Sequence, residues 1–259
     1  MAGPTAEQHV ALPCLKSAWL TLTFLHWPVP PEQVQALLPP GLVVDEWRGS
    51  AWVSLTPFEM ADMRPLGWGP SPGAPGLPGR AAARALHALS SSPETNLRTY
   101  VRGPDGRDGL WFLSLAIAGR ALAVTLRSVS GAPYHHGRLG LDRSRDAVTY
   151  TGAGPGDESS YHLVVRPGDP IEPTDLDTWL TGRWRAYTSH LDRLLVFPVE
   201  HEPWPLLSAH VEAAEQTVTD AAGLSDLGAP HRVQFSAGVR RVRLGFPRLA
   251  HGAGPRPGG

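Results

Sequence analysis

The chain has 259 residues, 42% of them apolar, and carries 23 Lys and Arg against 24 Asp and Glu, a formal charge of -1 at pH 7. That apolar share excludes general disorder, the charge balance leaves no surplus of cations to hold a phosphate backbone, so nucleic acid is not expected as a partner, and no apolar run has the length of a membrane span. The single cysteine, Cys14, rules out an intrachain disulfide.

No basic n-region with an A-x-A-like site precedes an apolar run, which makes a cytoplasmic location the expectation. No polar linker or block of like charge divides the chain, so one domain spanning 1–259 is expected, with an ordered core of about 15–246. A homo-oligomer is compatible with all of this.

In chain order, residues 18–27 alternate, with Leu20, Leu22 and Phe24 on one face and Thr21 and Thr23 on the other, the period of a half-buried strand. Pro28 and Pro30 end it. Residues 31–38 read as a short helix with proline in its first turn, stopped by Pro39-Pro40-Gly41. Strands are expected at 42–46 and 51–58 around a turn at 47–50. Residues 64–80 are too rich in Gly and Pro for a strand, and long loops of this kind are either functional lids or surface excursions. Residues 81–89 have a helical pattern.

Residues 94–102 form the most informative strand, placing Glu94, Asn96, Arg98 and Tyr100 on one face and Leu97 and Val101 on the other. Residues 110–117 are nearly all apolar, as in a strand buried on both sides. A short helix is expected at 121–129. Residues 131–136 then form a loop leading to a hairpin of 138–143 with 146–151, followed by a strand at 161–166. Thr174 and Asp177 resemble a capping box opening a helix whose apolar face carries Leu176, Trp179, Leu180 and Trp184. Strands near 193–199 and 206–212 flank the turn 201–205. A short helix near 213–222 ends at Gly223, a last strand runs near 231–242, and the tail after Pro247 frays.

Common chemical motifs are absent. Gly152-Ala153-Gly154-Pro155-Gly156 has the wrong spacing for a dinucleotide fingerprint, and neither a phosphate-binding loop nor a nucleophile elbow occurs. His201-Glu202 begins like a zinc-protease motif, but Pro203 and Pro205 forbid the helix that would align a second histidine. His135, His136, His201 and His210 lack ligand spacing, so no metal and no other cofactor is expected.

The row Glu94, Asn96, Arg98, Tyr100 is either a solvated outer face or the lining of an internal polar space, and the buried character of the next strand favours the second. A buried carboxylate needs a partner, and Arg98 lies on the same face as Glu94. Tyr134, His135 and His136 follow a Gly-x-Pro turn, where a histidine either acts as a base near neutral pH or simply sits at the surface. Arg183 and Tyr187 stand at i and i+4 of one expected helix and could face the same space. Trp204, in a Pro-rich turn, is either a packing anchor or a binding platform.

Several segments together carry a resemblance: Phe24-Leu25-His26-Trp27-Pro28-Val29, Leu37-Leu38-Pro39-Pro40-Gly41-Leu42, Glu94-Thr95-Asn96-Leu97-Arg98-Thr99-Tyr100-Val101, Gly109-Leu110-Trp111-Phe112-Leu113-Ser114-Leu115, and His201-Glu202-Pro203-Trp204-Pro205-Leu206. The chain resembles the YqjF-like uncharacterised family of the acetoacetate-decarboxylase-like superfamily. The resemblance implies an α+β, mostly β fold: a curled sheet or cone-like barrel with short peripheral helices and a polar cavity. Decarboxylases of that superfamily carry a glutamate in a strand similar to that of Glu94, and a lysine pair after an R-E-x-x-G-x-P string. The matching string here is Arg127-Ser128-Val129-Ser130-Gly131-Ala132-Pro133, followed by Tyr134 and His135.

Both lysines are thus replaced. A Schiff base needs a primary amine, which neither Tyr nor His supplies. Lys16, the only lysine, precedes the first expected strand. Three readings follow. The first is a binding protein for a small organic acid, with Arg98 on the carboxylate and Asn96, Tyr100, Tyr134, His136, Arg183, Tyr187 and Trp204 around it. The second is a non-covalent lyase, hydratase or isomerase acting on a keto or enol acid, with Glu94 or His135 moving protons and Arg98 stabilising the oxyanion. The third is a structural protein with a filled core.

Overall fold

The computed structural model describes residues 2–65, 91–154 and 158–251. Most of the Gly- and Pro-rich stretch 64–80 and the whole helical pattern at 81–89 lie outside the described residues.

The described elements are β1 (Leu15–Val29), α1 (Pro31–Gln35), β2 (Val43–Val44), β3 (Ala51–Pro65), β4 (Ser92–Arg102), β5 (Asp108–Ile117), α2 (Arg120–Ser130), β6 (Tyr134–His136), β7 (Arg138–Arg143), β8 (Val148–Ala153), β9 (Ser160–Pro170), α3 (Asp175–Thr181), β10 (Arg185–His190), β11 (Arg193–Glu200), β12 (Leu206–Gln216), α4 (Val218–Ala221), β13 (Arg232–Leu244) and β14 (Arg248–Leu249). None of the described helices is long and apolar enough to cross a membrane.

The strands form one curled sheet in the order β14-β11-β10-β5-β4-β3-β1-β13-β12-β9-β8-β7, with β2 beside β4 and β6 beside β5. A further pairing of β11 with β13, Val199 to Leu244 and Glu200 to Arg243, bends this ribbon back on itself. The result is a ring running β13, β1, β3, β4, β5, β10, β11, with β12, β9, β8 and β7 as an arm outside it.

The arm explains why the strands of the ring's thick side are buried on both faces. Leu25, Val53, Leu55 and Leu97 point outward and pack with Tyr150, Leu163 and Val165 of the arm in the main apolar core. The alternate residues of β4 point into the ring. Two threonines on the arm side find phenolic partners: Thr23 Oγ1 donates to Tyr150 Oη at 3.0 Å, and Thr95 bonds Tyr161.

The alternation expected along β1 holds only in part. Thr21 sits at φ 52°, and the pairing with β3 is irregular between Leu20 and Leu25. A bulge of this kind shifts the phase of the pleat, so Trp19 joins Leu22 on the inner side. Gly238 of β13, opposite Leu20, has φ 117°, and a Cβ there would lie 2.2 Å from the Trp19 carbonyl oxygen. No other residue fits that approach without moving β1.

Several expected boundaries change. The 42–46 strand shrinks to two residues, and residues 248–249, expected to fray, pair with β11. The helix expected near 213–222 is a strand up to Gln216, because Ala213, Ala214 and Glu215 pair with Val164, Leu163 and His162 of β9; cross-strand pairing overrides the helical preference of alanine and glutamate. Only α4 remains helical, ending before Gly223 at φ 84°. The capping box at Thr174 and Asp177 forms as expected, but α3 stops at Thr181. Trp184 and Tyr187 therefore lie beyond the helix, and Tyr187 belongs to β10, which runs parallel to β5 through Ala186–Leu110 and Tyr187–Trp111 pairs.

Candidate functional site

The ring surrounds a partly open cavity of about 260 Å³. Its wall is mostly apolar; besides the hydroxyl residues Thr56, Ser130, Thr181 and Thr188, its polar side chains include Glu94, Asn96 and Arg98 of β4, Tyr134 of β6, Arg183 after α3, and His201 after β11. Thr125 and Leu126 of α2 and Trp204 of the Pro-rich turn also line it.

The three β4 side chains are less than a tenth exposed. Register places them in successive layers. Arg98 sits opposite Ser54 and Phe112, Asn96 opposite Thr56 and Leu115, and Glu94 opposite Phe58 and Ile117. The expected ion pair between Glu94 and Arg98 does not form, and among the described residues no carboxylate pairs with Arg98 and no cation with Glu94. The reason is the pleat: four residues of strand span about 13 Å, with Asn96 between the two.

Each of these groups keeps a buried atom without a partner: Glu94 Oε2, Asn96 Oδ1 and Arg98 Nε. Glu94 Oε1 accepts from the Tyr134 hydroxyl at 3.4 Å. Burial raises the Glu94 carboxyl to about 8, against a smaller lowering by that hydrogen bond, so it is largely protonated at neutral pH. The Tyr134 hydroxyl is pushed well above its ordinary value, by burial first and by Glu94 second. The Arg98 guanidinium lies 5.3 Å from the Phe24 ring centroid. Burial lowers its pKa, partly offset by Tyr100, but an arginine starts high enough to remain a cation.

Arg183 stands deeper. Its Nη1 donates to Asp45 Oδ2 at 2.7 Å and Asp108 Oδ2 at 3.2 Å, and its Nε to the Trp179 carbonyl at 2.9 Å. The guanidinium stacks 4.3 Å from Trp179 and 5.0 Å from Tyr100, while Nη2 is buried without a partner. Both arginines line the same cavity, and each keeps one buried donor without a partner.

The other sequence-derived residues separate. Tyr100 shares the face of Arg98 but lies past the end of the cavity, packed 4.8 Å from Trp179 and donating to His26 Nδ1 at 3.4 Å. Tyr187 points out of the ring. Its hydroxyl donates to the Arg107 carbonyl at 3.0 Å, and its ring packs with Leu42 and Val101. Its neighbours Ala186 and Thr188 face the cavity instead. Tyr134 lines the cavity and also touches an outer groove, where His135, His136, Arg120, Arg127 and Arg138 lie; His135, next to Tyr134 on the strand, points to the opposite side, and neither histidine lines the cavity. Trp204 lines the cavity, stacked 6.2 Å from Trp19, with its Nε1 donating to the Thr181 carbonyl at 3.2 Å.

His201 is a lining residue that sequence reasoning weighed only as a metal ligand. Its Nδ1 lies 2.6 Å from the Glu202 carbonyl oxygen, which can only accept, so Nδ1 carries the proton. Burial lowers its pKa to about 4. Its ring sits among Trp19, Trp184 and Trp204, at 5.6, 4.6 and 4.6 Å. Among the described residues no three His, Cys, Asp or Glu converge as metal ligands.

Comparisons with known proteins place this geometry. An acetoacetate-decarboxylase-like enzyme from Sphingomonas wittichii RW1 superposes with a TM-score of 0.63 at 16% identity, covering 97% of this chain and 100% of that one. The enduracididine biosynthesis enzyme MppR, solved with pyruvate, superposes at 0.57 with 15% identity, over 94% and 93% of the two chains. The uncharacterized protein YqjF of Bacillus subtilis (strain 168) is 34% identical over 215 residues, 82% of each chain. The sequence profile of DUF2071, described as an uncharacterized conserved protein, matches residues 16–240. The fold is therefore acetoacetate-decarboxylase-like, and the chain belongs to the DUF2071 family that includes YqjF.

Proposed function

We propose that the protein binds a small organic acid inside the ring, its carboxylate held by Arg98 and, next to it, Arg183, without Schiff-base chemistry. The observation that carries this reading is the buried, uncompensated cation. A guanidinium removed from water without a carboxylate partner is costly, and a bound anion would offset that cost. Arg98 is 8% exposed, has an unpartnered Nε and opens onto a cavity. The pyruvate in MppR shows that this fold can hold such an acid elsewhere.

Schiff-base chemistry lacks its nucleophile. The one lysine of the sequence, Lys16, is exposed on β1 and does not line the cavity. A second reading, proton transfer to a bound keto or enol acid, is favoured by Glu94, whose Oε2 is buried without a partner and whose carboxyl burial raises to about 8, favouring the protonated form at neutral pH. Glu94 would act as the general acid, and His135, which faces outward, would take no part.

The test is a thermal-shift panel of short organic acids against the full chain and an Arg98→Gln variant. At least one acid is expected to raise the midpoint of the native chain by several degrees and that of the variant by far less. A panel without effect, or equal shifts in both proteins, removes the reading.

A further inference from the structure

We propose that the ligand is an elongated aromatic monocarboxylate: an anionic head at Arg98, an apolar ring in the middle of the cavity, and a hydrogen-bonding oxygen at the Glu94 end. This rests on the carboxylate reading above and adds the chemical class of the rest of the molecule.

Three observations carry it. The first is spacing. The spare polar atoms are strung along β4 in three layers, Arg98 to Asn96 to Glu94, over about 13 Å of strand. An acid of two to four carbons held at one end leaves the other end unmet. Each unmet group carries its own desolvation cost, so the ligand that fits best satisfies both ends.

The second is the wall between those ends. Phe58 and Phe112 stand opposite Glu94 and Arg98 in the register, Leu115 opposite Asn96, and Trp204 closes the far side against Phe24 at 5.3 Å. Flat, apolar side chains on several sides favour a flat, apolar body. The third is size. At water's share of about 30 Å³ per molecule, the cavity of about 260 Å³ holds roughly nine non-hydrogen atoms, and close packing admits a few more. An arylpropionate is of that size.

The Glu94 end has a definite polarity. Glu94 Oε1 already accepts from Tyr134, so the protonated carboxyl offers its hydrogen from Oε2. The matching ligand group is an acceptor oxygen, such as a phenol, methoxy or carbonyl.

The experiment is calorimetric titration of the full chain with four probes: propionate, 3-phenylpropionate, 3-(4-hydroxyphenyl)propionate, and 4-ethylphenol, which lacks the carboxylate. The ring is expected to strengthen binding over propionate by about tenfold or more, and the hydroxyl by about fivefold further. In Glu94→Leu the hydroxyl advantage should vanish while the ring advantage stays; in Arg98→Gln all three acids should weaken and 4-ethylphenol should not. Equal binding of the three acids that still depends on Arg98 overturns this inference and leaves the carboxylate reading intact. A hydroxyl advantage that survives in Glu94→Leu overturns the assignment of the Glu94 end, and binding of no acid removes both.

Discussion

Two regions of this molecule bury polar groups and treat them differently. Around Asp177, each group has a partner. The carboxylate accepts from Arg232 Nε and Nη2, both at 2.8 Å, from the Thr174 backbone at 2.9 Å and hydroxyl at 2.8 Å, and from Gln234. Gln234 Oε1 accepts from His26 Nε2 at 3.1 Å, and His26 Nδ1 accepts from Tyr100 at 3.4 Å. Burial lowers His26 to about 3, so it stays neutral and the direction of each bond is fixed. Along β4, by contrast, Glu94, Asn96 and Arg98 line the cavity and each keeps a buried atom without a partner. The first arrangement is architecture, closed on itself. The second resembles half of a contact.

The contrast can be broken most severely at Asp177. Asp177→Ala takes the buried acceptor from Gln234 and the Thr174 backbone, while the partly exposed Arg232 can turn to water; it should lower unfolding stability in urea by about 3 kcal/mol, the sum of two buried donors left unmet. A loss below 1 kcal/mol would mean the network is not cooperative.

Glu94 should behave in the opposite sense. Its folded pKa, about 8, lies above the ordinary carboxylate value of 4.5. Between those two values the unfolded chain has released the proton and the folded chain retains it, so stability falls as pH rises through that window and levels off above it. Glu94→Gln removes this slope, and at pH 8 should be more stable than the native chain by about 1–3 kcal/mol, at about 1.4 kcal/mol per pKa unit in full and less after relaxation. Parallel urea curves for the two proteins at pH 5 and pH 8 would refute it.

The smallest effect is expected at Arg98. Arg98→Met replaces an unpaired cation with an apolar chain of similar length, and should raise stability by about 1 kcal/mol. A large loss in calorimetry would place Arg98 with the satisfied network.

Much of this was legible in the sequence. Period-two reading of β4 identified the inward row, and the Thr174–Asp177 box identified the start of α3. What it missed has physical causes. Alternation gives the face of a side chain but not its depth, so Tyr100 shares the row yet lies behind Trp179. The end of α3 at Gly182 and the parallel pairing of β10 with β5 depend on residues far away in the chain, so Tyr187 was assigned to the wrong element. His135 was read in a loop, where direction is open, but it is the middle residue of β6 and faces away from Tyr134's target. His201 was weighed only as a metal ligand, because its setting among three tryptophans from separate segments leaves no mark in its local sequence.

The pairing of β1 with β13 joins Leu15 to Leu244 and His26 to Arg232. These are among the most distant partners in the chain, and closing so long a loop is slow. Leu22 on the early strand and Leu244 at the end of the late one both line the cavity. During synthesis on the ribosome, therefore, that space has no complete wall until residue 244 has emerged, and a nascent chain halted earlier exposes the apolar faces of β3, β4 and β5 to its neighbours.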